Sequence, residues 1–510
     1  EKVGRKDYWL WQKHLSDPRS LLKLASNPFM LNMLFRVWED EGELPRNRGD
    51  LFARFIDRLL GREGVFVKEE TGQWRRTAEG ESLLRGLADL AWRMQRVRIE
   101  AGKEDSGDFG VLTAASRDAA LESLGDAALL KKALDGTLLE GDEEIRFRHQ
   151  LLQEYFTAQA LRGRMEQMSA AELWPPGRWW ERSGWEEAAV LLAGFYSDDS
   201  SPVIRWLWRA QPEVAAQCIL ESGADVADPV ALLGELQTAW LPRLTDVKME
   251  PRPEARAAIG RALGRLGLDN RKGVGVKNGV PDIDWVEIAG GEFLYQENER
   301  RRIKTFYMAR YPVTNAQYEA FLNAGDGYGD DRWWEGLTDP DRSRPRPYWG
   351  ESNHPRESVS WHEAMAFCAW LSHKAGFEIR LPTEWEWERA ARGTDGRVYP
   401  WGKEYVDGYA NIAEDTHSVG RTSAVGIYPE GASPEGVLDL SGNVWEWCLN
   451  EYEKPKRLQP GGSGFRVLRG GSWGLNRDFA RADFRNYLVP DSRNFFIGFR
   501  LCARLPSAEH

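Results

Sequence analysis

The composition of the chain changes about halfway along, and this change limits what each half can fold into. In the first half apolar residues repeat at helical spacing, as Leu51, Phe55 and Leu59 do. A stretch rich in Gly, Lys, Asn and Pro follows at 271–284, and short aromatic segments, glycines and long loops come after it. The sequence therefore predicts an α+β protein with a helical N-terminal part, a linker and a loop-rich C-terminal domain.

Charge and cysteine content exclude several classes of protein. The formal net charge is −11 and no long basic run occurs, which argues against nucleic acid as a partner. No stretch of about 18 apolar residues exists, so we expect no membrane span. Cys218, Cys368, Cys448 and Cys502 are too sparse for a disulfide scaffold and form no CxxC pair. These features predict a cytoplasmic protein with neither nucleic acid nor a membrane as its partner.

Residues 1–165 carry helical stripes, beginning with Leu21, Leu22 and Leu24, and a single predicted hairpin at 137–147. Helices followed by a hairpin are typical of a winged-helix unit. Two segments, 26–31 (SNPFML) and 147–158 (FRHQLLQEYFTA), resemble the helical and winged-helix regions of NACHT-type STAND signalling ATPases. The chain contains no GxxxxGK[ST] loop, so we expect no ATP hydrolysis.

Residues 166–270 are also predicted to be helical. The segment 253–263 (PEARAAIGRAL) resembles one turn of a HEAT-like repeat. Because no fixed period is present, an extended solenoid remains only one of the alternatives.

The C-terminal domain, predicted at 285–508, carries seven short motifs in a fixed order. They lie at 290–293, 311–318, 354–364, 380–388, 399–402, 442–447 and 466–473, and Gly498-Phe499-Arg500 closes the series. Each motif alone is weak, but their order resembles that of formylglycine-generating enzymes. This resemblance implies a C-type-lectin-like fold with two helices and a small twisted sheet.

In that enzyme family two cysteines follow the Gly-Gly-Ser-aromatic turn, and they bind the copper that carries out the oxidation. The matching positions here are Leu475 and Ala480, which can neither form a thiolate nor bind a metal. We therefore expect no copper and predict that the chain is not an enzyme. The alternative is a formylglycine-generating-enzyme-like oxidase, either degenerate or with its redox groups in other positions.

The resemblance also implies oxygen ligands for calcium around the Gly-Asn-x-Trp-Glu turn. Here they would be the side chains of Asp439 and Glu446 and the carbonyl groups of Gly442 and Val444. A solvated turn with a satisfied Asp has the same sequence pattern, so the sequence leaves both alternatives open. Calcium is the one cofactor that the sequence suggests.

The segment 474–496 resembles the variable region of proteins diversified by diversity-generating retroelements, which also use a lectin-like fold ending in Gly-Phe-Arg. Randomised adenines in AAC or AAT codons never produce Lys, Glu, Gln, Met or Trp, and none of these five occurs between Gly474 and Phe496. The positions that match the variable pattern are predicted to bind the ligand. They are Gly474, Leu475, Asn476, Phe479, Phe484, Asn486, Tyr487, Leu488, Asn494, Phe495 and Phe496.

The residues between these positions would form the fixed scaffold of the loops, namely Arg481, Arg485, Pro490, Asp491 and Arg493. If the aromatic side chains are exposed, they have the composition of a protein-binding hot spot; if they are buried, they fill the core of the C-terminal hairpin. The dense alternation with Asn and Arg favours the first alternative. The sequence thus predicts a non-enzymatic protein whose diversified surface binds a variable protein ligand, and it leaves the oligomeric state open.

Overall fold

The computed structural model describes residues 25, 27–62, 73–104, 114–297, 299–337 and 342–504. The chain forms two compact units, Glu1–Gly234 and Glu235–His510. Leu21, Leu22, Leu24 and Ser26, which belong to the predicted N-terminal helical pattern and motif, lie outside the described residues, as does 505–508 of the predicted C-terminal domain.

The first unit is mostly helical, as the sequence predicts. Its helices are α1 Pro28–Glu41, α2 Arg48–Asp57, α3 Ala78–Glu104, α4 Arg117–Leu124, α5 Ala127–Asp135, α6 Gln150–Arg164, α7 Glu186–Gly194, α8 Ser201–Leu207, α9 Pro212–Glu221 and α10 Pro229–Thr245, the last of which continues into the second unit.

Helix α1 shows how local sequence sets the helix ends. The Asn27 side chain accepts hydrogen bonds from the backbone N–H groups of Phe29 and Met30, at 2.9 and 3.3 Å. Pro28 occupies the first turn, where a backbone N–H would have no partner inside the helix, so the missing N–H of proline costs nothing there. Gly42 ends the helix in the left-handed conformation, with φ of 70°.

The predicted hairpin is present in the first unit. Strand β2 (Leu139–Glu140) pairs antiparallel with β3 (Glu144–Phe147), and β1 (Ala115–Ser116) pairs with the other edge of β3. Gly141 makes the turn with φ of 108°, and a Cβ there would lie 1.9 Å from the Glu144 carbonyl oxygen. The unit therefore combines helices with a small antiparallel sheet.

Helix α11 (Pro253–Leu266) belongs to the second unit and packs against its loops. The Arg256 Nε donates to the carbonyl of Ile427 at 2.7 Å, and a Cβ on Gly260 would lie 2.7 Å from that of Ala424. The following segment, predicted as a linker at 271–284, contains the hairpin β4 (Val276–Lys277) and β5 (Val280–Pro281).

Two four-stranded sheets and one hairpin form the frame of the second unit. The strands are β6 Trp285–Ile288, β7 Gly291–Tyr295, β8 Glu299–Ile303, β9 Phe306–Ala309, β10 Ile379–Arg380, β11 Trp445–Glu451, β12 Arg466–Arg469, β13 Asn486–Leu488, β14 Ile497–Phe499 and β15 Cys502–Ala503. The first sheet has the order β10-β15-β9-β6, and the second has the order β13-β12-β11-β14. Strands β7 and β8 form the hairpin.

Two helices pack on this frame largely as predicted. Helix α12 (Asn315–Asn323) has Thr314 as its N-cap, with Gln317 completing a capping box. Helix α13 (Trp361–Ala375) begins after Ser360, whose hydroxyl accepts from the Glu363 N–H while the Glu363 carboxylate accepts from the Ser360 N–H.

The core between these elements is rich in aromatic side chains. Phe367, Trp370 and Leu371 of α13 are buried together with Tyr318 of α12 and Phe499 of β14. A third helix, α14 (Glu384–Arg392), contributes the buried Trp387. Within the described part of the chain, no helix is both long and apolar enough to cross a lipid bilayer.

Candidate ligand-binding surface

The predicted variable segment lies between two strands of the second sheet. Strand β12 ends before it and β14 begins directly after it, and both pair with the central strand β11. Within the segment, β13 pairs antiparallel with β12, so that Tyr487 lies opposite Val467. The sheet therefore holds both ends of the segment and one part of its middle.

A tight turn directs the chain from β12 into this segment. Gly470 and Gly471 both have positive φ, at 93° and 74°. A Cβ on Gly471 would lie 2.9 Å from the Phe479 carbonyl oxygen and 3.1 Å from Ala480 Cα. Only glycine fits this position without strain, which explains the Gly-Gly pair of the motif.

The aromatic residues at the end of the segment belong to a larger group of rings, which we call the Phe495 cluster and define as Tyr348, Trp349, Trp473, Phe495 and Phe496. The Phe495 ring centroid lies 4.1 Å from that of Phe496, 5.4 Å from that of Tyr348 and 6.0 Å from that of Trp473. The ring centroids of Trp349 and Trp473 lie 6.2 Å apart. Tyr348 is 66% exposed, so this cluster reaches the surface.

Three members of this cluster were not predicted from the sequence, because Tyr348, Trp349 and Trp473 lie outside the segment with the variable pattern. The available signal was the adjacent Tyr-Trp pair between Pro347 and Gly350. Tyr and Trp carry large apolar rings that contribute strongly to cores and interfaces, so such a pair marks a candidate packing surface.

The remaining aromatic positions of the segment are partly buried. The ring centroids of Phe479 and Phe484 lie 4.9 Å apart, and that of Phe484 lies 6.1 Å from that of Trp445 in β11. Tyr487 is 42% exposed and contacts Tyr452 and Phe465. The segment is thus neither a free loop nor fully core: one side of its apolar residues packs inward while other edges remain accessible.

The same distinction applies to the other predicted positions. Asn476 is exposed, whereas Gly474, Leu475, Asn486, Leu488 and Asn494 are half-buried. Leu475 and Leu488 pack against the main core. Asn476 and Asn494 accept hydrogen bonds from backbone N–H groups two residues on, at 3.1 and 3.0 Å, and so shape the local turns.

Arginine ion pairs fix the segment to the rest of the domain. Arg485 donates to both carboxylate oxygens of Glu384, at 2.6 and 3.1 Å. Arg493 donates in the same two-point manner to Glu363, at 2.9 and 3.0 Å. Both carboxylates are buried, so these pairs position the loops with little freedom.

Other predicted scaffold residues make smaller contributions. Arg481 forms an ion pair with Asp483 inside the segment. Pro490 is buried, and its carbonyl accepts from the Trp361 N–H at 2.9 Å. Asp491 is exposed and has no ion-pair partner among the described residues.

The residues at the two copper-ligand positions do not fit a copper ion. Leu475 is half-buried and Ala480 is fully buried. Burial raises the pKa of the Cys448 and Cys502 thiols well above their usual value, which opposes thiolate formation. Among the described residues no group of three or more His, Cys, Asp or Glu side chains is arranged to hold a metal ion.

The predicted calcium ligands lie close together in sequence, but each carboxylate already has protein partners. The Glu446 oxygens accept from Arg500, at 2.7 and 2.8 Å, and from the Trp387 indole N–H at 2.7 Å. Asp439 accepts from the Gly426 N–H at 2.7 Å, and burial raises its pKa to about 6. Calcium at Asp439, Gly442, Val444 and Glu446 stays a prediction, and it would require the Arg500 guanidinium to move.

Known proteins similar to this chain include members of the family that the motifs resemble. The model of the sulfatase-modifying factor enzyme 1-like domain matches residues 276–505. Hercynine oxygenase of Mycobacterium tuberculosis is 37% identical over 238 residues, which are 39% of this chain and 52% of that protein. The inactive C-alpha-formylglycine-generating enzyme 2 of mouse is 32% identical over 277 residues, which are 44% of this chain and 86% of that protein.

Residues 276–505 of the second unit thus match a sulfatase-modifying-factor-like domain. The chain belongs to the formylglycine-generating-enzyme-like family, and it spans about half the length of the hercynine oxygenases that it matches. Among solved structures, variable protein 1 of Treponema denticola covers 45% of this chain and 98% of its own, with a TM-score of 0.35 and 22% identity.

These relatives contradict the prediction that the chain is not an enzyme. Relatives that are 30–37% identical carry the names hercynine oxygenase and formylglycine-generating enzyme, so oxidase activity belongs to the family. The prediction relied on the two missing cysteines alone, and one missing ligand pair does not show that a chain is inactive.

Proposed function

We propose that the second unit binds a protein ligand at the surface formed by the segment 474–496 and the Phe495 cluster. The observation that carries this proposal is the continuity of half-buried aromatic side chains of the segment with the 66% exposed Tyr348. Rigid aromatic groups with one face packed and one edge accessible lose little entropy on binding, which is typical of interface hot spots.

The anchoring of the segment supports the same proposal. The ion pairs of Arg485 and Arg493 with buried carboxylates hold the loops from beneath, and strands β12 and β14 fix their ends. A loop that is ordered before binding retains more of its contact energy as affinity. An exposed side chain between the anchors, such as Tyr487, can then vary while the anchors keep the path of the backbone.

We further propose that this variation is genetic and arises from a diversity-generating retroelement. The absence of Lys, Glu, Gln, Met and Trp from 474–496 supports it. The test is the DNA sequence around the coding region. A near-copy of the 474–496 codons with adenines at the mismatched positions, beside a reverse-transcriptase gene, is the expected result; absence of both from the genome would contradict the diversification.

Binding is tested with a phage-displayed library of random peptides selected on the full chain. Phe495→Ala and Tyr348→Ala are each expected to weaken the selected peptides about tenfold or more, because each removes an aromatic contact. Phe35→Ala is the matched control, since Phe35 is 56% exposed in the first unit. Equal binding by all three variants would contradict the proposed surface.

The names of the relatives favour a second candidate, an oxidase. A bound metal would supply the oxidising chemistry, but Leu475 and Ala480 would leave it to be held by other donors. The full chain is loaded with Cu(I) or Fe(II), desalted and analysed for metal and for oxygen consumption with a Cys-bearing peptide. Stoichiometric metal with peptide-dependent oxygen uptake would support this candidate, and metal-free protein would oppose it.

For the first unit we propose the helical and winged-helix part of a STAND-type signalling protein. The resemblances at 26–31 and 147–158 support it, as does the sheet of β1, β3 and β2 between helices. Ligand binding would then change the state of assembly. Light scattering of the full chain with and without a selected peptide tests this proposal, and an unchanged mass would contradict it.

A further inference from the structure

The loop 342–349, which we call the arginine–proline loop, lies beside the Phe495 cluster and carries exposed positive charge. Its sequence alternates Arg344, Pro345, Arg346 and Pro347 before it reaches Tyr348. Arg344 and Arg346 are exposed while Pro345 between them is buried. Neither arginine forms an ion pair with another described residue, so both guanidinium groups are available to a partner.

Hydrogen bonds from three directions hold this loop in place. The carbonyl of Pro345 accepts from the buried Arg356 at 2.5 Å, and the Trp349 N–H donates to the buried Glu357 at 2.9 Å. Arg493 donates to both the carbonyl and the hydroxyl oxygen of Ser343, each at 3.2 Å. Two prolines restrict φ as well, so the arginines project from a fixed backbone.

Arg493 belongs to the segment 474–496, so its hydrogen bonds to Ser343 join the loop directly to that segment. The same guanidinium also pairs with the buried Glu363. The Tyr348 ring in turn contacts the Phe495 ring at 5.4 Å. The arginine–proline loop therefore forms one continuous surface with the segment 474–496, although it lies about 150 residues earlier. It is a part of the surface that diversification of the segment would leave unchanged.

Among the described residues around this surface, two further arginines are already paired with carboxylates. Arg342 pairs with Asp331 at 2.7 Å, and Arg421 pairs with Glu351 at 2.6 Å while stacking on Trp349. Asp491 is an exposed acid of the segment. The uncompensated charge of the loop is therefore positive, in a chain whose formal net charge is −11.

We infer that the partner of this surface is a protein segment that places carboxylates on Arg344 and Arg346 beside an apolar side chain on Tyr348 and Phe495. This inference rests on the proposed ligand-binding function and specifies its partner. Arginine recognises carboxylates by paired hydrogen bonds, and opposite charges at an interface rim speed and orient association. Two arginines without a longer basic groove do not provide the phosphate contacts of a nucleic-acid site.

The peptides selected from the random library on the full chain provide the probe. We expect them to be enriched in Asp and Glu, and Arg344→Glu with Arg346→Glu should weaken their binding about tenfold or more. Arg344→Lys with Arg346→Lys should retain most of it. Arg300→Glu with Arg302→Glu is the matched control, because these arginines are also exposed and two residues apart, on strand β8.

The outcomes separate this inference from the proposed function. Peptides that need Phe495 but show no acidic enrichment, and bind the charge-reversed loop as tightly as before, would overturn the inference alone. If no selected peptide depends on Phe495, both the surface and its acidic partner are wrong. A fluorescent single-stranded DNA that binds the wild type but not the charge-reversed loop would also overturn the inference, in favour of a nucleic acid.

Discussion

Arg493 and Glu363 form a two-point ion pair that joins the segment 474–496 to the N-terminal turn of helix α13. The Nε–Oε2 and Nη2–Oε1 distances are 2.9 and 3.0 Å, and the Glu363 side chain is fully buried. Glu363 also accepts from the Ser360 N–H and the Tyr328 hydroxyl. One carboxylate therefore caps a helix and holds the segment at the same time.

Arg493→Ala should lower the free energy of unfolding by about 3 kcal/mol, because it leaves a buried carboxylate without its cation. Urea denaturation followed by tryptophan fluorescence measures the change. Arg481→Ala is the matched control: its partner Asp483 lies in the same segment and the Arg481 side chain is 43% exposed, so we expect a loss of about 1 kcal/mol or less. Equal losses in the two variants would show that the Glu363 pair is not a special anchor.

Arg500 and Glu446 form another buried ion pair, and we expect it to contribute strongly to the free energy of unfolding. Their side chains are 0 and 1% exposed, and Arg500 also donates to the carbonyls of Ala309 and Leu438. Arg500→Met should cost about 3–5 kcal/mol of unfolding free energy, since the buried Glu446 carboxylate would lose its cation and keep only the Trp387 N–H as a side-chain donor.

Adding Glu446→Gln to Arg500→Met removes that charge and should recover part of the loss. A thermodynamic cycle from urea denaturation of the two single variants and the double variant gives the coupling between the two residues. Additive losses would mean that the pair contributes no more than its separate hydrogen bonds.

Gly471→Ala should destabilise the turn that leads into the variable segment by about 1–3 kcal/mol, because of the positive φ and the close Phe479 carbonyl. Gly163→Ala provides a control of opposite sign. Gly163 lies in helix α6, and a Cβ there meets nothing within 4 Å. That change should stabilise by about 0.5–1 kcal/mol. Thermal unfolding of both variants measures the difference, and a neutral Gly471→Ala would contradict the strain argument.

Local sequence predicts much of this fold, because capping and periodicity depend on neighbouring residues. Thr314 predicts the start of α12 as its N-cap, and the spacing of Phe367, Trp370 and Leu371 predicts the buried face of α13. The first-unit hairpin follows from its Gly141-Asp142 turn in the same way.

The surface could be predicted only in part, because long-range pairs depend on the path of the whole chain. The variable pattern marks Phe495, but nothing near it in sequence indicates that Tyr348 packs against its ring. The ion pair of Arg493 with Glu363 spans 130 residues and has no local signal. The sequence also could not decide whether the segment 474–496 is core or exposed surface, since most of its positions are half-buried.

His354 should make the stability of the second unit depend on pH. The side chain is fully buried with its Nδ1 3.0 Å from the Thr422 hydroxyl, and burial lowers its pKa to about 3. Between about pH 6.5 and pH 3 the unfolded chain therefore binds a proton that the folded chain does not. This group's contribution to stability is complete above pH 6.5 and is lost as the pH falls through that window.

The slope that His354 contributes is at most about 1.4 kcal/mol per pH unit. His354→Asn should remove it, so that the unfolding free energies of wild type and variant approach each other as the pH falls from 7 toward 4. Urea denaturation at several pH values measures both curves. Loss of a packed ring lowers the stability of the variant by a constant amount at every pH, and this constant difference does not affect the slope. Parallel curves would show that His354 takes up its proton in the folded chain as readily as in the unfolded one.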